Sequence, residues 1–179
     1  MVERDAVEDL LASTKAESGS TLLALAEASP VLLVFLRHFG CSFCRQTISQ
    51  IGELRPELEA RGVRPVFVHL GTPSIAQAHF SYYGLGEVER IHDPQAALYR
   101  HALFGLGRTR VLSHFFRPKV IAGWLSGALF RHGIGKIQGD GEQMPGVFVL
   151  RGPQIVRRFV HKTIADQPDY LALTESASG

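Results

Sequence analysis

The stretch VLLVFLRHFGCSFCRQ, residues 31–46, decides the fold. It begins with an unbroken apolar run, Val31 to Leu36. Arg37, His38, Phe39 and Gly40 follow, and then come Cys41 and Cys44 with two residues between them. A continuous apolar run of this length predicts a central strand covered on both faces. From about Phe43 to Arg61 the spacing turns helical: Ile48, Ile51, Leu54 and Leu58 line one face, and Gly62 suits the C-terminal cap. Pro56 inside that stretch predicts a kink or break.

The cysteines therefore stand where a strand gives way to a helix. Unpaired backbone N–H groups and the positive end of the helix dipole favour a thiolate there. Arg37, Arg45 and His38 add positive charge in sequence. Such surroundings lower a thiol pKa from about 8.5 to between roughly 3.5 and 7.5. Cys44 lies one turn on, on the same side of the helix, so it can attack a mixed disulfide formed at Cys41. A lone CxxC says little, but one that closes a buried strand and opens a helix points to redox chemistry. Two inert buried thiols are the alternative, since free Cys is among the most buried residue types. Gly40 and Ser42, which leave the turn open, argue against it. A structural zinc site needs four ligands. The eight histidines provide no H-x₃₋₅-H partner for a single CxxC, so no metal and no other cofactor is expected.

Outward from this motif, residues 4–13 and 20–28 have helical spacing, and Ser29-Pro30 ends the second. RPVFVHLG, 64–71, is a second buried strand. Thr72-Pro73 starts a helix reaching about Tyr83. Val88 to His92 suits a short strand, and Asp93-Pro94 starts a helix through Phe104. Gly84-Leu85-Gly86 reads as a turn. VFVLR and QIVRRFV flank Gly152-Pro153 as a hairpin, and a short helix closes the chain from Gln167.

Strand, CxxC, helix, strand, helix and a final hairpin is the order of an α/β thioredoxin-like fold. It predicts a central mixed sheet flanked by helices, with additional N-terminal helices and a helical insertion before the last hairpin. The whole chain, 1–179, reads as one domain, with 94–139 as the insertion.

The segments FLRHFGCSFCRQ, GVRPVFVHLG, IHDPQAALYRHALFGLGR and QMPGVFVLRGPQIVRRFVHKTIADQPDY together resemble the peroxiredoxin-like AhpC/TSA proteins of the thioredoxin superfamily. The likeness runs from about residue 30 to 173. It implies thiol-dependent redox chemistry, described in some relatives as peroxide reduction and in others as reduction of prostaglandin endoperoxides. One departure stands out. Peroxiredoxins carry P-x-x-x-T-x-x-C, whose Thr helps orient the peroxide. With Cys44 aligned to that Cys, Cys41 replaces the Thr and Arg37 the Pro. This favours general thiol–disulfide exchange over a dedicated peroxidase and leaves two assignments of the attacking sulfur. Thioredoxins use the first cysteine, which favours Cys41.

Met144-Pro145 is the second element that the resemblance singles out. In thioredoxin-like proteins a cis-proline precedes the strand flanking the CxxC, and Pro145 precedes GVFVL. A cis bond there would present the Met144 backbone to an extended substrate. His38 is a candidate for tuning the thiolate or moving protons. Asp93 reads as a helix cap. His161 and Asp166 also match the family, with a structural role for their loop preferred.

These residues imply a thiol-dependent oxidoreductase. Cys41 attacks a peroxide or disulfide, Cys44 closes the Cys41–Cys44 disulfide, and a thioredoxin- or glutathione-like thiol restores the dithiol. A redox-responsive binding protein using the same disulfide as a switch is the second class. A scaffold or membrane-surface module with inert thiols is the third.

Composition sets the outer bounds. The chain has 179 residues, 45% hydrophobic and 20% charged, with a formal net charge of +2. That is the balance of a globular domain. Two cysteines are too few for a secreted disulfide framework, and MVERDAVEDLLASTK lacks the order of a signal peptide. The expected compartment is the cytoplasm. The small net charge hides an asymmetry. Residues 94–139 carry seven basic residues and no acidic one, against 12 basic and 17 acidic elsewhere. Within this span, RPKVIAGWLSGALFRHG predicts a helix with Val120, Ile121, Trp124, Leu125, Ala128 and Leu129 on one face. The preferred reading packs the Trp124 face into the core or against a second subunit, as in a homodimer, with basic residues near the redox site. A membrane surface is a less favoured occupant. Nucleic acid is not expected, because the cluster has little aromatic interleaving.

Overall fold

The computed structural model describes residues 2–109, 118–123, 133, 135 and 139–175. Five strands form one mixed sheet in the order β3-β2-β1-β4-β5. They are β1 (Val31–Phe35), β2 (Arg64–His69), β3 (Glu89–His92), β4 (Gly146–Arg151) and β5 (Gln154–Val160). β1 lies at the centre. It runs parallel to β2, with Val31 opposite Arg64, and antiparallel to β4, with Val31 opposite Leu150. β3 is parallel to β2, and β5 closes the hairpin with β4.

Every residue of β1 is buried, as its unbroken apolar run requires. Alternate side chains leave opposite faces of a strand, and each face has its own core. Leu32 and Val34, with Phe67, Val147 and Val149, meet Ile48, Ile51 and Leu58 of α3 (Ser42–Ala60), Phe80 of α4 (Pro73–Tyr82) and Tyr170 of α7 (Tyr170–Thr174). Val31, Leu33 and Phe35, with Val66, Val68 and Phe148, meet Leu11 of α1 (Val2–Ser13), Leu22 and Leu25 of α2 (Leu22–Ala28), Tyr99 and Phe104. The Phe35 ring packs edge-on against Tyr99 at 4.9 Å between centroids. The Tyr99 hydroxyl reaches the carbonyls of both Leu36 and Val68, bracing the ends of β1 and β2 just before the cysteines.

Two local expectations are corrected, and a third is met as far as the described residues go. α3 continues through Pro56 without a break. Pro56 lies on the exposed face of the helix, where its ring meets no core side chain. Second, the helix predicted from Asp93 to Phe104 is one turn, α5 (Ala97–Arg100). Asp93 does cap it, accepting from Ala97 N at 3.0 Å and Leu98 N at 2.8 Å. Ala96, left-handed at φ 51°, delays the start, and His101, whose backbone turns away at ψ 139°, ends the helix after one turn. Third, of the helix predicted in 117–133, α6 (Pro118–Gly123) is present with proline at its start. Trp124 and the rest of that stretch lie outside the described residues. Val120 is fully buried in the same core as Cys41 and Cys44. Among the described residues no helix is long and apolar enough to cross a membrane.

Candidate redox site

β1 delivers Leu36 and Arg37 to the end of the sheet, and the chain turns through His38–Gly40 into α3. Cys41 is the N-cap of that helix, with extended backbone and no side-chain cap bond. Its N–H donates to His38 O at 3.0 Å, which closes the turn. Cys44 follows one helical turn later. Both cysteines are free thiols.

Arg37 ties the pair together. Its backbone N–H donates to the Cys44 sulfur at 3.4 Å, and its Nη1 donates to the Cys41 sulfur at 3.7 Å. The rest of the guanidinium is anchored to the loop before β4. Nε donates to Gln143 O at 3.0 Å, and Nη2 donates to Gly141 O. Arg37 is only 2% exposed, so its charge acts on Cys41 with little water between.

The two sulfurs are pushed in opposite directions. The Cys44 thiol donates a hydrogen bond to the Cys41 sulfur, burial works against ionisation, and Arg37 adds a favourable charge. The outcome is a Cys41 pKa of about 6. The same hydrogen bond, together with burial and the negative charge on Cys41, raises Cys44 well above an ordinary thiol. This is the division of labour of a nucleophile and a protonated partner.

His38 does not contribute positive charge. Burial, then Arg37 and Arg45, lower its pKa to about 4, so it is neutral at neutral pH. Its Nδ1 has no hydrogen-bond partner. Arg45 is not aimed at the sulfurs either: its Nε donates to Phe39 O at 2.5 Å.

The open turn predicted around Gly40 and Ser42 is also corrected. Ser42 is 3% exposed, Cys41 7% and Cys44 4%. Part of the cover comes from the insertion. Gly135 N donates to Gly40 O at 3.0 Å. A Cβ at Gly135 would lie 2.4 Å from Arg45 Nη2, the far end of a flexible side chain, and 3.3 Å from the Gly40 Cα, so glycine lets the segment lie this close without displacing Arg45.

Met144 and Pro145 are brought to the site as predicted, but not in the predicted manner. Met144 packs in the same core as both cysteines, and Pro145 shares a small cavity with Cys44. No cis peptide bond occurs among the described residues, so the Met144–Pro145 bond is trans. Met144 N donates to Gly107 O at 3.0 Å, so it is not free for an extended substrate. This bond draws the chain into β4 without a reversal, and the ordinary trans preference of an X–Pro bond prevails.

Gln143 was not read from the sequence. It is fully buried, and its Nε2 donates to the carbonyls of Leu106 and Gly107, both at 3.0 Å. It thereby fixes the carbonyl that holds Arg37. A polar residue in DGEQMP carries no periodicity or motif that could have marked it. Asp166 has the structural role expected, accepting from Lys162 N, Thr163 N and the Thr163 hydroxyl. Among the described residues, no group of three or more His, Cys, Asp or Glu is placed to hold a metal.

The family model for the AhpC/TSA antioxidant enzymes matches residues 50–163. It begins after Cys44, so the cysteine pair rests on the geometry above. Two curated relatives share one name, prostamide/prostaglandin F synthase. That of Salmo salar is 46% identical over 55 residues, 31% of this chain and 27% of its own length. The chain thus spans about a quarter of that relative in the matched region. The Danio rerio protein is 25% identical over 150 residues, 82% of this chain and 73% of that one. Peroxiredoxin Q of Xanthomonas campestris superposes with a TM-score of 0.62 at 17% identity, covering 92% of this chain and 90% of that one. A putative thiol:disulfide interchange protein, DsbE, from Chlorobium tepidum gives 0.59 at 18%, covering 93% and 92%. At such identities these structures bear on the fold alone, and they make it thioredoxin-like.

Proposed function

The chain belongs to the AhpC/TSA antioxidant enzyme family, and from that membership we propose that it reduces an O–O bond with Cys41 as nucleophile and Cys44 as resolving thiol. The observation that carries this reading is the pairing of a Cys41 drawn down to about 6 with a Cys44 held protonated beside it. Thiolate attack leaves oxygen on Cys41, and the alkoxide or hydroxide that departs takes up a proton. Cys44 then displaces the oxygen and forms the disulfide. A thioredoxin- or glutathione-like donor thiol returns the pair to the dithiol.

Burial favours a small substrate over a folded protein disulfide, which would have to reach a cysteine only 7% exposed. Phe39, Phe43, Val120 and Met144 lie in one apolar cluster with both cysteines. That lining suits an organic hydroperoxide or an endoperoxide better than hydrogen peroxide. The name of the Salmo salar and Danio rerio relatives is in keeping with a lipid-derived substrate.

The test is a steady-state assay of donor-thiol consumption with hydrogen peroxide, an organic hydroperoxide and a protein disulfide, run beside Cys41→Ser. Turnover that is fastest with the organic hydroperoxide and lost in Cys41→Ser supports the proposal. No turnover with either peroxide refutes it.

A further inference from the structure

Tyr99 is completely buried, in the core cluster that also holds Phe35, Phe104 and Phe148. A phenylalanine would fill the same space without bringing in a hydroxyl, whose burial costs free energy unless it is hydrogen-bonded. The hydroxyl reaches the carbonyls of Leu36 and Val68, the second at 2.9 Å. Val68 O already accepts from Leu36 N at 2.9 Å. Leu36 O lies past the last rung between β1 and β2, where Phe35 stands opposite Val68. Among the described residues, Tyr99 is its one donor.

Leu36 O and the Arg37 N–H belong to one planar trans peptide and point to opposite sides of the chain. That N–H donates to the Cys44 sulfur at 3.4 Å. The Tyr99 hydroxyl, the Leu36–Arg37 peptide and the Cys44 sulfur therefore stand in line. A donor on the carbonyl oxygen fixes the plane of the peptide and polarises it, which strengthens the bond that its N–H gives on the far side. Tyr99 is itself held in place. It lies in α5, which Asp93 caps, and its own carbonyl accepts from Leu106 N at 2.9 Å. Burial, then Cys44 and Asp93, push its hydroxyl well up, so it keeps the proton that it donates.

This line of groups bears on disulfide closure. As the Cys41–Cys44 S–S bond forms, the Cys41 S–O bond breaks, and the Cys44 proton leaves with the departing hydroxyl as water. Cys41, in its sulfenic form, is reduced and Cys44 is oxidised. Negative charge develops on the Cys44 sulfur as its proton departs, and burial opposes that charge. Resting on the peroxide-reductase reading above, we propose that Tyr99 is a positioning residue for closure, aiming the Arg37 N–H at the Cys44 sulfur through the Leu36–Arg37 peptide and stabilising the charge that develops there. The other ionisable groups around Cys44 are Cys41, the Arg37 guanidinium, Tyr170 of α7, and His161, which lines a small cavity with it.

The test starts from Cys41→Ser, in which position 41 is uncharged, as in the sulfenic form, and Cys44 is the one thiol. Its titration is followed by the carbon NMR shift of its Cβ. Adding Tyr99→Phe, which keeps the ring and all the groups just named, should move the midpoint up by about 0.7 in pH. Site-specific fluorination of the Tyr99 ring makes the hydroxyl a stronger donor and should move the midpoint down, which a role confined to bracing β1 and β2 would not do. In the two-cysteine protein, one equivalent of organic hydroperoxide should still yield Cys41 sulfenate in Tyr99→Phe, captured by dimedone, while closure slows about fivefold. An unmoved Cys44 midpoint in both Tyr99 variants, with sulfenate formed normally in the wild type, overturns the assignment alone. Absence of sulfenate in the wild-type protein overturns the peroxide-reductase reading and this assignment with it.

Discussion

Arg37 grips Cys41 and Cys44 by different atoms: its guanidinium donates to the Cys41 sulfur at 3.7 Å, and its backbone N–H donates to Cys44 at 3.4 Å. One residue at the end of β1 therefore sets the environment of both sulfurs. Its own position depends on two carbonyls of the loop that precedes β4.

The order of effects on Cys41 can be tested directly. The Cys44 hydrogen bond outweighs the Arg37 charge in lowering its pKa to about 6. Cys44→Ala should therefore raise it further than Arg37→Gln does, when read from the ultraviolet absorbance of the thiolate. A larger rise in Arg37→Gln would reverse this order. Arg37→Gln should also destabilise the fold by about 2 kcal/mol, because it removes hydrogen bonds to the buried Gln143 carbonyl and the half-buried Gly141 carbonyl.

Alkylation should discriminate between the sulfurs. Cys41 should react before Cys44, with a midpoint near pH 6 and little further gain above neutral pH. Peptide mapping after limited treatment with iodoacetamide reads the order. First labelling at Cys44, or a midpoint near that of an ordinary thiol, would transfer the attacking role to Cys44.

Acid stability should report on His38. Its pKa falls from 6.5 to about 4 on folding, so the unfolded chain binds the proton more readily. Stability from this group is fully present above pH 6.5, is lost as pH falls toward 4, and changes no further below. The loss is on the order of 3 kcal/mol. Cys41, also depressed, has its stabilising contribution fully present above pH 9 and loses it as pH falls through about 6, so the two windows are largely separate. Urea midpoints of wild type and His38→Gln should diverge between pH 6.5 and 4, with the variant flatter. Parallel curves there would rule out this account.

The cover over the cysteines can be lifted by one methyl group. In Gly135→Ala the new Cβ meets the Arg45 guanidinium and the Gly40 backbone, which should weaken the Gly135–Gly40 hydrogen bond. Cys41 should alkylate several-fold faster with little change in thermal midpoint. Unchanged labelling would mean that the cover lies elsewhere.

Periodicity revealed the frame because burial writes directly into it. The apolar run of β1 is buried on both faces, the Ile48–Ile51–Leu58 stripe faces the sheet, and Thr72-Pro73 starts a helix. The cysteine spacing at a strand–helix junction located the redox pair. What the sequence hid depends on contacts between distant segments. Gln143 acts through Arg37, far away in the chain. The burial of Cys41 depends in part on Gly135. The neutrality of His38 arises from its surroundings rather than from its type. The left-handed Ala96 overrides an ordinary proline start signal, and no local residue preference announces it.

The placement of β1 also bears on how the chain is made. Its neighbour β2 follows soon after it, but its other neighbour, β4, ends at Arg151. A ribosome must deliver most of the chain before the central strand has both partners, and until then Cys41 and Cys44 ride on a half-built sheet. Premature oxidation at that stage has a single intramolecular product, because the chain holds only these two cysteines. That product is the ring that the proposed cycle itself makes and that a donor thiol opens. Late completion of the sheet therefore exposes these 179 residues to no scrambled pairing among their own cysteines.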